Sequence, residues 1–113
     1  MNLKKIGWLS CLALSLSASA PLSHAGDAAA GKEKAVSCAA CHGENGNSPN
    51  TQFPKLGGQH EDYLANALLQ YQNGQRKNAI MAGLAAALSD EDRKDLAAYF
   101  ASQESELDTL ELE

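Results

Sequence analysis

Cys38, Ala39, Ala40, Cys41 and His42 form a C-x-x-C-H run, two thiols and an imidazole within five residues. That spacing reads as the covalent attachment of a c-type haem. Two thiols three positions apart at a helical end can each form a thioether with one of a porphyrin's two vinyl groups. The adjacent imidazole then lies beneath the iron as its proximal ligand. Three other uses of these residues compete. A thioredoxin-like redox pair needs a βαβ setting, and this chain has almost no strand material. A zinc site from Cys38, Cys41, His42 and His60 has half of a tetrahedral set in its C-x-x-C. However, His42 directly follows Cys41, and His60 has no partner at ligand spacing. A disulfide between Cys38 and Cys41 would close a tiny ring and stabilise little. The haem reading is the strongest of the four.

The elements that must carry this run come from a chain of 113 residues, 44% hydrophobic, 5% aromatic and 20% charged. That length holds one small domain and excludes a multidomain enzyme. A formal charge of −5 argues against nucleic acid as a partner. Lys4 and Lys5 precede a run of apolar and small residues over 6–20, and Ser23-His24-Ala25 supplies small residues where a signal peptidase reads. The expectation is a secretory signal over 1–25, cleaved after Ala25, with the protein exported to the periplasm. The apolar run is short of the ~20 residues that span a bilayer and is interrupted by serines, so no membrane insertion is expected after cleavage. Cys11 lies too early in that run to be a lipidation site.

Residues 26–113 then hold seven Lys or Arg against fourteen Asp or Glu, a net charge of −7. Within them stand sixteen Ala, five aromatics and four β-branched residues, Val36, Thr51, Ile80 and Thr109. Alanine favours helices and strands need β-branched and aromatic side chains, so the domain should be all-α. So few large side chains cannot easily fill a core, which leaves room for something else inside.

Three main helices joined by long loops are expected. The first runs from an N-cap at Asp27 through Ala35 and Val36 towards Cys38. Four Gly, two Pro and three Asn make residues 43–58 a loop. Tyr63, Leu64, Ala67, Leu68 and Tyr71 place a helix over 61–72, ended by Gly74. Residues 73–83 read as irregular, leading into a short helical turn over 84–88. Ser89 and Asp92 open the last helix as a capping box, with Leu96, Tyr99 and Phe100 on its apolar face. A domain over 26–103 is followed by an acidic tail, 104–113, expected to be frayed and solvated.

For the other side of a haem iron the candidates are few. Met81 is the only thioether after the leader, although a lone Met ordinarily fills a core. His60 is a second candidate, at a helix entry where a solvated His is ordinary. Gly83 would let backbone come close to a ring.

With C-x-x-C-H near the start of the mature chain and a Met ahead of the last helix, the sequence resembles a class I c-type cytochrome. Phe53-Pro54-Lys55-Leu56-Gly57-Gly58-Gln59, the helix at Tyr63-Leu64, and Ile80-Met81-Ala82-Gly83-Leu84 are similar to one half of the dihaem periplasmic cytochromes of type c-4. A single C-x-x-C-H departs from that group and allows one haem.

The resemblance implies a cytochrome c-like fold wrapped around one covalent haem c, with His42 and Met81 as axial ligands of the iron. It implies the Pro54 carbonyl as acceptor from His42. Gly31 and Ala35 should meet Leu96 and Tyr99 where the terminal helices cross. Gln59, Tyr63, Tyr71, Arg76 and Asn78 should border the ring or its propionates, Arg76 and Asn78 foremost. No acid–base pair or nucleophile is evident, so a one-electron carrier rather than an enzyme is expected. By resemblance, its donor is a membrane quinol-oxidising complex and its acceptor a terminal oxidase or periplasmic reductase. A haem-ligand sensor or a catalytic haem subunit, with an open or labile distal position, is the competing function.

Overall fold

The structure, a computed structural model, describes residues 25–106, and within them the chain forms five helices and no strand. These are α1 (Ala28–Lys34), α2 (Val36–His42), α3 (Glu61–Asn73), α4 (Ala79–Ala85) and α5 (Asp90–Ala101). The all-α expectation holds. The leader before Ala25 and the tail from residue 107 lie outside the described residues.

Local signals account for most of the boundaries. Asp27 accepts from the Ala29 and Ala30 N–H groups and starts α1. Gly74, at φ 78°, ends α3 in the left-handed conformation. The Ser89–Asp92 box is complete: Ser89 Oγ accepts from Asp92 N–H at 3.0 Å, and Asp92 Oδ2 accepts from Ser89 N–H at 2.9 Å. An aspartate in place of the usual glutamate therefore suffices.

Two parts depart from expectation. The first helix is two helices, broken at Ala35, whose N–H turns to Lys32 O at 3.3 Å. Ala35 is 2% exposed and sits in the core. The break there lets α1 stay along α5 while α2 turns the C-x-x-C-H run inward. The second departure is α4, a helix where irregular chain was expected, whereas residues 86–88 are not helical. Asn78 explains it. Its Oδ1 accepts from the Ile80 and Met81 N–H groups at 3.1 and 3.0 Å, a full N-cap.

The core is small and lies where α1 and α5 cross. Ala35, Leu64, Leu96, Ala97, Tyr99 and Phe100 form its buried cluster. Gly31 makes the crossing possible: a Cβ there would stand 1.9 Å from the Asp95 carbonyl oxygen and 2.9 Å from Tyr99 Cβ. Ala35 thus shares a cluster with Leu96 and Tyr99 as expected, while Gly31 meets the Asp95 backbone and Tyr99. The tail is not free from its first residue. Asn47 Nδ2 donates to Glu104 O at 2.8 Å, and Lys55 pairs with Glu106 at 3.0 Å. No helix among the described residues is long and apolar enough to cross a membrane.

An ion network locks the crossing. Lys34 Nζ lies 2.8 Å from Asp92 Oδ1 and 2.6 Å from Asp95 Oδ2, and Asp95 Oδ1 also accepts from the Asp27 N–H at 2.8 Å. The hydrogen bond from Lys34 holds Asp92 down to about 2 and is the first cause lowering Asp95. The same bonds, that to Asp92 foremost, raise Lys34.

Depressed carboxylates stabilise the fold above their unfolded values, near 4, and that contribution is lost as pH falls through the folded values. The unfolding midpoint should therefore fall as pH drops from about 4 to about 2, and Lys34→Met should flatten that slope. Thermal unfolding followed by circular dichroism across this range checks it; an equal slope in the variant would overturn the assignment.

Candidate functional site

One turn of α2 puts Cys38 and Cys41 on a common face, because residues three apart on a helix are surface neighbours. Neither is in a disulfide, and both are half-buried. With His42, 7% exposed, they line a cavity of about 600 Å³. That is within the roughly 300–1,000 Å³ of cofactor pockets.

His42 is held in one tautomer. Its Nδ1 lies 2.8 Å from the Pro54 carbonyl oxygen, which can only accept, so Nδ1 carries the hydrogen and, in the neutral ring, Nε2 is the nitrogen with the lone pair. The Phe53 ring meets the imidazole edge-on, with centroids 6.3 Å apart and planes at 62°. Pro54 reaches this place because the 43–60 segment folds back on Gly46. The Gly46 carbonyl accepts from Leu56 N–H at 2.7 Å and from Gly57 N–H at 3.2 Å. Gly46 has φ +78°, and a Cβ on it would stand 2.7 Å from Gly57 N and 2.9 Å from the Phe100 ring. No other residue type fits without displacing the loop.

The remaining walls are mostly apolar, with Leu64, Ala67 and Leu68 from α3 and Leu96, Ala97 and Phe100 from α5. Met81, half-buried on α4, lines the same cavity with Ile80 and Leu84. Helices α2 and α4 make no direct contact with each other. The thiols and imidazole on one and the thioether on the other share only the cavity.

The expected bordering residues are present too. Gln59, Tyr63, Tyr71, Arg76 and Asn78 all line the cavity, as does Pro54. Arg76 Nη2 donates to the Tyr63 hydroxyl at 3.0 Å, and its guanidinium lies 5.7 and 5.5 Å from the Tyr63 and Tyr71 ring centroids. The bond to Tyr63 raises the Arg76 pKa further, keeping it a fixed cation. Asn78 contributes most visibly as the cap that orients the helix bearing Met81.

His60 stands apart, exposed, and lines a separate surface groove with Glu61 and Asp62. Among the described residues no three His, Cys, Asp or Glu side chains converge as a metal site, so the geometry does not support the zinc alternative. Gly83 is exposed, has no protein atom within 4 Å of a built Cβ, and is not among the residues lining the cavity. Sequence reasoning misses Gly46 as a pivot, although the Asn45-Gly46-Asn47 turn signal was available.

An all-helical shell, a paired-thiol helix ending in a buried histidine, and a thioether on a second helix together define a c-type haem protein. The donor set suits the group: a neutral imidazole lone pair and a soft thioether are established haem ligands. The family model of Cytochrome c matches residues 28–104, and the chain belongs to that family. It carries one site for covalently bound haem c.

The chain is similar to Cytochrome c4 of Pseudomonas aeruginosa, 55% identical over 83 residues, covering 73% of this chain and 41% of that one. It is similar to Cytochrome c-554(548) of Halomonas halodenitrificans, 48% identical over 83 residues, covering 71% of this chain and all of that one. Its fold superposes on reduced recombinant cytochrome c4 from Pseudomonas stutzeri with a TM-score of 0.67 at 47% identity, over 71% of this chain and 47% of that one. The chain therefore spans about half the length, or less, of the cytochrome c4 proteins it matches.

If Asn78 acts as a helix cap, Asn78→Ala should cost about 1 kcal/mol and raise amide exchange over residues 79–85. Asn78→Asp, which retains the accepting oxygen, should restore protection. Exchange left unchanged in the alanine variant would show that the cap is dispensable.

Proposed function

We propose that this protein is a soluble periplasmic one-electron carrier. Cys38 and Cys41 would hold one haem c through two thioethers, and His42 Nε2 and Met81 Sδ would hold its iron. When bound, the haem supplies a one-electron ferrous–ferric couple. The observation that carries the reading is the placement of α2 and α4, which meet only across the cavity and bring the imidazole and the thioether to it.

The protein's part is to bind, orient and exclude water. Pro54 fixes the His42 tautomer and ring orientation by accepting from Nδ1. Leu64, Ala67, Leu68 and Phe100 keep the interior apolar, which tunes reduction potential. Arg76, clamped by two tyrosines, and the Asn78 cap complete the surroundings. If His42 and Met81 both held the iron, no position would be left for a substrate, which would suit a carrier rather than a sensor or a catalytic haem.

Export follows from the leader over 1–25, cleaved after Ala25, with the domain over 26–103 and the acidic tail behind it. The partners are redox proteins, with a quinol-oxidising complex as donor and a terminal oxidase or periplasmic reductase as acceptor. The exposed apolar side chains Ile80, Leu84 and Tyr63 at the cavity suit brief docking of such partners.

The oxidised protein should show the weak far-red absorption band of sulfur-ligated ferric haem, and the reduced protein should not bind carbon monoxide rapidly. Met81→Ala should abolish the band and admit carbon monoxide. A parent protein without the band, or one that binds carbon monoxide at once, would favour the open-site alternative. Denatured, solvent-extracted protein should keep its haem mass, and Cys38→Ser with Cys41→Ser should lose it.

With −7 over residues 26–113, electron transfer to a basic partner should slow by about tenfold or more from low to high salt. Stopped-flow rates independent of ionic strength would rule out charge steering.

A further inference from the structure

We propose that Gln72 is the positioning residue for the Met81-bearing segment, its side-chain amide fastening the C-terminal end of α4 to α3. The role rests on Met81 being an axial ligand. Helix α4 has little else to hold it. It is seven residues long, too short for independent stability. Its one fully buried residue is the small Ala85, while Ile80 is 69% and Leu84 44% exposed. Among the described helices it packs against α3, and beyond its end Arg93 Nη1 of α5 reaches Leu88 O at 3.4 Å, a long bond. The Asn78 cap orders its first turn but is local and ties it to nothing beyond.

Gln72 supplies the missing tie. Its Nε2 donates to the Ala85 and Leu88 carbonyl oxygens, both at 2.7 Å, using both of its hydrogens. These carbonyls close α4 and the turn after it. The orientation of the amide is decided by Arg93, whose Nη1 donates to Gln72 Oε1 at 2.7 Å. A guanidinium only donates, so the oxygen must face it and the nitrogen must face the carbonyls. Arg93 is held in turn by Asp90 at 2.9 Å. A chain of directional bonds thus runs from the start of α5 through α3 to the end of the helix that carries Met81. Loosening it should let the thioether leave the iron more often without unfolding the α1–α5 core.

Two variants of the haem-loaded protein test this. Gln72→Leu removes both donors. Gln72→Glu also removes them, yet strengthens the pair with Arg93 and so keeps the protein folded should the first variant fail. In both, amide exchange over residues 79–88 should rise about tenfold or more while α1 and α5 keep the protection of the parent. The far-red band of the ferric protein should weaken, and added imidazole should bind at about tenfold lower concentration. Exchange, band and imidazole binding within about twofold of the parent in Gln72→Glu would overturn the proposal. So would exchange accelerated equally in α1 and α5, which signals general destabilisation. A parent without the band would instead refute Met81 ligation, and the exchange of residues 79–88 would still judge the clamp.

Discussion

The bond from His42 Nδ1 to the Pro54 carbonyl is the contact on which the site depends. It joins the end of α2 to a loop twelve residues further on, and it decides which ring nitrogen holds a lone pair. Much of the loop is arranged to deliver it. Gly46 allows the backbone to approach Gly57, the Gly46 carbonyl receives Leu56 and Gly57, and the Tyr99 hydroxyl pins Glu44 O from α5 at 2.7 Å. A proline suits this acceptor, since it has no N–H of its own to satisfy and its φ is fixed.

Around that bond the molecule divides into a firm side and a lightly held side. On the firm side α1 lies against α5 through Gly31, the buried Ala35, Leu96 and Phe100, and the Lys34–Asp92–Asp95 network. The imidazole therefore stands on well-packed chain. On the other side α4 is short, half-exposed and, among the described helices, packed against α3, with one long bond from Arg93 of α5 to Leu88 O beyond its end. A thioether is a weaker ligand than an imidazole held by a second hydrogen bond, so under the proposed ligation the firmness of that segment governs the Met81 side of the iron.

The Arg76 sandwich adds a fixed positive charge beside an apolar cavity. Its guanidinium is stacked on Tyr63 and Tyr71 and hydrogen-bonded to one of them, so its position is set by packing rather than by solvent. In a protein with a net charge of −7 over residues 26–113, such a cation counters the surrounding field locally.

The sequence by itself determined what local chemistry controls. Alanine content and the scarcity of β-branched residues decided the all-α class, and Asp27, Ser89 with Asp92, and Gly74 set helix ends through bonds made within a few residues. The C-x-x-C-H run needed no fold to be read, because its spacing is the chemistry. Pro54 came from resemblance and Met81 from being the lone thioether as well as from resemblance, and only the tertiary structure brought them, with Arg76 and Asn78, to one cavity. It alone decided the break at Ala35, which answers to packing against α5. It decided the separation of His60 from the cavity as well, since an exposed and a lining histidine look alike in sequence. The fastening of α4 by Gln72 was likewise invisible, because its partners lie thirteen and sixteen residues away and meet only when α3 and α4 pack.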